Sequence, residues 1–478
     1  MIETVVPEAL VDRRLVKAHL SAGFGWFLVG IFAGFFLSFQ FFDHYPFRGI
    51  EIFSPGRVRM VHTNLVAYAF IGNMFFGGLN WAIPRLTGER TFSSKVGWAA
   101  FFVWNLALAL NVVLLTLGPT LFPDAMGLFG AQGIEWGETP IVIDPLIIIA
   151  AILLCVNFYA PIIRCKDKSL YVSLWYFSAG LVWVSLTYLM GNYIPQFVLP
   201  GASGAAVAGL FIHDLVGLFL TPIGWGLMYY FVPVILKRPV FSHALSILGF
   251  WGLAFFYPLN GIHHFLWSPI PMDVQIGAVV ATVAVEVVVF TVIANFFMTL
   301  RGQGDALRSS LPLRWFYVGM INYFITCAQC AYQVTLSAQK IIHFTDWVVG
   351  HAHIVMFGVF GFWCLGFTLY LWPRVTGRDW WSRRLNSWHF WLTALGLMIM
   401  FLDLVAAGLV QGFLWRGLAP FEDSFVASRP FWMVRSISGF MIITAQVLFL
   451  VNLVMTKKHG EPTGEQPRAE PAPAPVAV

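Results

Sequence analysis

"VVGHAHIVMFG", residues 348–358, sets two histidines one residue apart at the head of a strongly apolar run. Lipid tolerates ionisable side chains only at a cost, so a pair of them in such a segment asks for something to bind them. The run continues to about residue 373, long enough at 1.5 Å per residue to cross a ~30 Å hydrocarbon layer, which takes about 20 residues. Working outward, eleven similar runs recur near 21–42, 58–83, 94–118, 144–163, 170–192, 204–235, 241–266, 273–300, 314–337, 386–412 and 432–455. The chain of 478 residues is 59% hydrophobic, 17% aromatic and only 11% charged, far from the balance of a soluble protein. The connecting loops are short and no composition break divides the set. The expected fold class is therefore all-α: one polytopic domain of twelve transmembrane helices over residues 1–456. The Pro-, Ala- and Glu-rich stretch 457–478 reads as a disordered cytoplasmic tail.

Positive residues stay on the cytoplasmic side, and 21 of the 28 Lys and Arg fall in the N-terminus, the even-numbered loops and the C-terminus. Both termini are thus expected in the cytoplasm. The net charge of +5 reflects that topology and gives no reason to invoke nucleic acid. The first apolar run is too long for a signal-peptide core and is expected to be retained. Five cysteines form no secreted framework, so no structural disulfide is expected. Cys327 and Cys330 make a CxxC, but Ala331 stands where covalent c-type haem attachment needs histidine, which leaves them as small residues at a helix contact.

Six of the twelve histidines lie inside the apolar runs: His62, His213, His263, His264, His351 and His353. Alternating helix direction brings all six to one layer in the outer half of the membrane. Residues two apart on an α-helix point about 200° apart, so His351 and His353 cannot readily serve one metal and are expected to serve two. His62 offers a second axial ligand to one of them. A haem with two histidines is coordinatively full and transfers electrons, whereas one with a single histidine keeps an open face. His213, His263 and His264 remain as a three-nitrogen set suited to copper. Tyr257, seven residues before His264, is expected on nearly the same helical face two turns deeper, within reach of a metal as a proton or electron donor.

"GRVRMVHTNLVAYAFIGN" (56–73), "IHDLVGLFLTPIGWGLMYYFVP" (212–233), "YPLNGIHHFLWSPIP" (257–271) and "HFTDWVVGHAH" (343–353) together resemble the catalytic subunit of haem-copper oxidases, most closely the C-family, cbb3-type cytochrome c oxidases. The resemblance covers all twelve runs. It implies two b-type haems, the low-spin one held by His62 and His353 and the high-spin one by His351. It also implies a CuB copper on His213, His263 and His264, and a covalent link between Tyr257 and His213. Arg57 and Arg59 would face haem propionates, with His343 and Asp346 in the same layer, and Glu135 or Glu138 would supply a calcium site. The implied activity is reduction of O2 to water with electrons from cytochrome c, through membrane-anchored c-type cytochrome subunits, coupled to proton translocation across a bacterial inner membrane.

Two departures bear on proton delivery. The family's glutamate on the ninth helix is matched here by Gln329, while Glu286 stands mid-membrane on the eighth, where it is expected to compensate. Asp214 replaces a usual asparagine, and Asp403 is a further buried acid without an assigned role. The rival in the same superfamily, a nitric oxide reductase coupling two NO to N2O, carries a glutamate four residues after the first histidine of the sixth helix; here that residue is Gly217. A twelve-helix secondary transporter would show broken helices and paired inverted repeats, neither of which is evident.

Overall fold

The computed structural model describes residues 10–42 and 44–463, and the expected tail beyond 463 lies outside the described residues. Twelve long helices follow one another: α1 Arg13–Phe41, α2 Pro55–Thr87, α3 Ser94–Leu121, α4 Ile141–Arg164, α5 Val172–Phe197, α6 Gly201–Leu236, α7 His243–Phe265, α8 Met272–Leu300, α9 Leu311–Gln333, α10 Asp346–Thr376, α11 Arg383–Arg416 and α12 Phe421–His459. No strand occurs among the described residues. Eleven of the helices are apolar enough to cross a membrane by length and composition; α9 has the length, 23 residues, but is less apolar. α12 runs three residues past the boundary expected at 456, and Pro462 pairs with Arg378.

Hydrophobicity all round a helix marks it for the interior of a bundle. α2 and α10 bury 94% of their apolar stretch and α6 buries 72%, whereas the apolar stretches of the other eight apolar helices are 33–50% buried. The three inner helices are the ones that carry His62, His213, and the pair His351 and His353. Each of them shifts from α to π winding just past its histidines, at Leu65–Gly72, Val216–Leu220 and Ile354–Gly361. Such π segments are rare and cluster at functional sites, because one extra residue per turn re-aims the helix on either side.

The bundle is also built three times over. α2, α6 and α10 each carry a proline three residues before the end, Pro84, Pro233 and Pro373, followed by a left-handed residue, Gly88, Lys237 and Gly377. The next helix in each case is capped by a serine, Ser93, Ser242 and Ser382. That serine's N–H donates to a buried asparagine on the helix after it: Asn157 (3.2 Å), Asn295 (2.9 Å) and Asn452 (3.0 Å). The chain thus folds as three like units, each pinned at one end by a serine–asparagine lock.

Candidate metal centre

His62 Nδ1 lies 2.7 Å from Gly30 O on α1, and His353 Nδ1 lies 2.8 Å from Val349 O one turn back on α10. A carbonyl only accepts, so each ring carries its proton on Nδ1 and presents Nε2. The two rings face each other with centroids 6.3 Å apart and planes 27° apart. Two imidazole–metal bonds of about 2 Å each, plus half of each ring, account for such a span. A Cβ at Gly34 would fall 2.5 Å from His62 Cε1, so this ring fits only because α1 has glycine there. The pair therefore fits a haem with two axial histidines.

His351 turns away from that pair. Its Nδ1 lies 3.1 Å from Gln329 Oε1 on α9 and its Nε2 3.7 Å from Cys330 Sγ. It lies within electrostatic reach of His213 and His264. The two histidines two residues apart thus face different neighbours, one on each side of α10.

The ligand atoms of His213, His263 and His264 all lie within 4.8 Å of one another, with His213 Nδ1 and His264 Nε2 3.0 Å apart. Thr282 on α8 donates its hydroxyl to Ala278 O at 2.7 Å, so the oxygen is free to accept from His263 Nδ1, also at 2.7 Å. That fixes His263 with Nε2 available. Three neutral imidazoles converging on one point, one of them oriented by a hydroxyl, fit a copper or similar nitrogen-bound ion.

Tyr257 reaches this trio by a different route from the one expected. The α-helix of α7 ends at Phe256, and Tyr257–Leu259 and Gly261–Phe265 are 3₁₀ turns, so the seven-residue spacing from Tyr257 to His264 does not place them on one helical face. Pro258 has no N–H to continue α winding. The Tyr257 ring instead lies against His213, with centroids 4.6 Å apart and planes 12° apart. It fills the space beside Gly217 so completely that a Cβ there would lie 1.6 Å from Tyr257 Cε1.

The other expected residues are distributed as follows. Arg57 donates to Thr116 O at 2.6 Å and pairs with Glu51 at 2.6 Å. Arg59 pairs with Glu135 at 2.7 Å and lies 3.8 Å from buried Glu138. Glu138, in the loop before α4, accepts from Asn64 at 3.0 Å, while its Oε1 has no hydrogen bond. Burial raises this carboxyl above its usual range, with Asn64 and Arg59 pulling the other way. Asp346 starts α10 and is tied to the last two helices, accepting from Gln411 at 2.7 Å and Trp432 at 2.8 Å. His343 lies outside the trio, against the backbone of Leu266 and His264. Asp214 Oδ1 and Asp403 Oδ2 are buried without hydrogen bonds.

The description that matches residues 14–441 is cytochrome c and quinol oxidase polypeptide I. The chain belongs to this family. It is 30% identical to the cbb3-type cytochrome c oxidase subunit CcoN1 of Stutzerimonas stutzeri, over 91% of this chain and 93% of that one. It is 28% identical to the cytochrome c oxidase subunit 1 homolog of Agrobacterium tumefaciens, over 96% of this chain and 87% of the relative. Its fold matches a solved heme-copper terminal oxidase dimer with a TM-score of 0.78 at 14% identity, covering 99% of this chain and 88% of that one.

Several residues that shape this oxidase polypeptide I site carry no sequence signal of their own. Gly34 and Gly217 act by lacking a side chain, and Thr282 reads as one more small residue on a Val-rich helix. Arg435 on α12 is close enough to Asp346, Asp403, His62 and His353 to interact with all four. Its position inside an apolar run was the one clue to it.

Proposed function

We propose that this chain is the catalytic subunit of a cbb3-like respiratory terminal oxidase, reducing dioxygen to water and coupling that reaction to proton translocation. The observation that carries the choice of substrate is the packing of Tyr257 against Gly217. A nitric oxide reductase of the common type gives its non-haem iron an oxygen ligand from a glutamate at that position. Here any side chain at 217 would overlap the Tyr257 ring. A carboxylate ligand and this tyrosine exclude each other, and a tyrosine beside a nitrogen-only metal site suits oxygen chemistry.

His62 and His353 would hold a low-spin b-type haem, His351 a high-spin one, and His213, His263 and His264 the copper. When bound, these groups supply the electron path and the redox centre at which dioxygen is reduced. The protein's part is orientation and proton supply. Gly30 O, Val349 O, Gln329 Oε1 and Thr282 Oγ1 each hold a ring nitrogen that faces away from a metal, which fixes tautomer and direction and strengthens the other nitrogen as a ligand. Tyr257 would give a proton and an electron locally. Its contact with His213 supports the covalent bond between the two rings, which would leave the joined peptides two hydrogens short by mass.

Glu138, with one buried oxygen free of hydrogen bonds and only loosely paired with Arg59 at 3.8 Å, is favoured over Glu135, which Arg59 holds at 2.7 Å, as a calcium ligand. Arg57 and Arg59 would meet haem propionates, where fixed positive charge holds carboxylates. The helical bundle would form a single membrane domain, with a cytoplasmic tail after α12 and both termini on the cytoplasmic side of a bacterial inner membrane. The chain has no CxxCH, so electrons would arrive from cytochrome c through membrane-anchored c-type cytochrome subunits. The test is consumption of O2 and of NO by one preparation of the purified complex. Rapid cytochrome c-driven O2 uptake with negligible N2O formation supports the reading, and the reverse pattern would replace it with NO reduction.

A further inference from the structure

Glu286 sits at the midpoint of the 29-residue α8, only 6% exposed, and its Oε2 makes no hydrogen bond. A carboxyl so placed in a membrane helix is costly and usually functional. Its location relative to the metal centre follows from helix geometry. Thr282, which accepts from His263, is four residues earlier, so Glu286 shares its face about 6 Å further along the axis. Across the helix contact, the Cys327 thiol of α9 adjoins the Glu286 carboxyl, and the Tyr323 phenol, one turn nearer the start of α9, adjoins Cys327. The Tyr257 phenol lies within electrostatic reach of both Glu286 and Cys327.

On the neighbouring turn of α9, the residue beside His351 is Gln329, an amide that cannot carry a proton as an acid does. The other buried acid in this region, Asp214, also lies within electrostatic reach of Tyr257, but it follows His213 directly and so points about 100° away from it around α6, with no polar partner leading off from its buried Oδ1. Glu286 shares a helix face with a residue that touches a candidate copper ligand.

We propose that Glu286 is the carboxylic acid that hands protons to the Tyr257 side of the metal centre, with the Cys327 thiol as its hydrogen-bonding partner. This rests on the oxidase reading above. In each cycle the O–H bond of the acid breaks, the proton leaves toward Tyr257, and a proton arriving from the cytoplasmic side restores the acid; no electron moves at this residue. Cys327 and Tyr323 extend the polar contact away from the outer surface, along the direction from which that proton comes.

The test uses the intact complex reconstituted with its haems and copper, comparing the native enzyme with Glu286→Gln and Cys327→Ala. In a single oxidative turnover started by CO photolysis, E286Q is expected to take up protons about 100-fold more slowly while its haem and copper content and its CO spectrum stay native. In redox difference infrared spectra the native enzyme is expected to show a protonated-carboxyl C=O band that is absent in E286Q. In C327A, which keeps the acid, that band is expected to shift with loss of the thiol partner. Native-rate proton uptake in a fully loaded E286Q, or an unmoved carboxyl band in C327A, would overturn the proposal. Those results would leave the oxidase reading intact, because native O2 uptake is measured in the same samples; absence of O2 uptake by the native enzyme would overturn both.

Discussion

A methyl group added at Gly217 is the smallest change that probes the centre. Its carbon would overlap Tyr257 Cε1, so the ring must move off His213. Overpacking of this kind costs about 1–3 kcal/mol, and a misplacement near 1 Å at a reacting group can cost about 100-fold in rate. Gly217→Ala is therefore expected to lower O2 turnover about 100-fold with a modest drop in thermal stability; native turnover would show that Tyr257 does not act from this position. Glu138 gives a pH test outside the membrane. Its folded carboxyl titrates above the 4.5 expected of an unfolded glutamate, so the folded form binds its proton more tightly. Stability then falls as pH rises from 4.5 through the raised value. With calcium chelated, the melting temperature of Glu138→Gln is expected to depend less on pH across that window than the native protein's. Equal slopes would contradict the burial argument.

At the scale of the helix, most of what could be read from the sequence came from length and apolar content, and most of what could not came from breaks in winding. The long helices were legible because apolar length marks all but α9, and the approach of His213, His263 and His264, and of His62 and His353, because a fixed rise per residue sets their depth. The π segments after His62, His213 and His353 were not, since no residue type marks them. Nor was the route of Tyr257: a spacing of seven implies one face only while α winding lasts, and Pro258 ends it. The serine–asparagine locks are polar contacts between helices that pattern alone leaves unpaired. Asn295 also donates to Ser242 O, and Asn452 to Ser382 O, each at 2.8 Å. Replacing either asparagine by alanine strands a half-buried serine N–H, expected to cost about 1 kcal/mol. The two losses should add in the double variant, because the sites belong to different units. Thermal unfolding of the single and double variants checks this; a double variant no worse than either single one would mean the locks are not separate.

The whole molecule is three like units around three buried helices, and this explains why its chemistry is concentrated. The inner helices contribute His62, His213, His351 and His353, and the 3₁₀ end of α7 adds His263 and His264. The histidines gather in the bundle interior because a helix apolar on every side is driven inward, carrying its few histidines with it. Gly34, which makes room for His62 of α2, and Gly217, which makes room for Tyr257 of α7, have meaning only once those helices are packed together. That is why the histidines stood out in the sequence while their packing partners did not. The central claim is that six imidazoles at one level hold two haems and one copper. The most direct measurement is a metal and haem inventory of the purified complex, read with its visible and paramagnetic resonance spectra. The account predicts b-type haem with a low-spin bis-histidine signal from one of two sites, and one copper for every two b-type haems. Iron in place of copper, or protein that folds without any porphyrin, would contradict it.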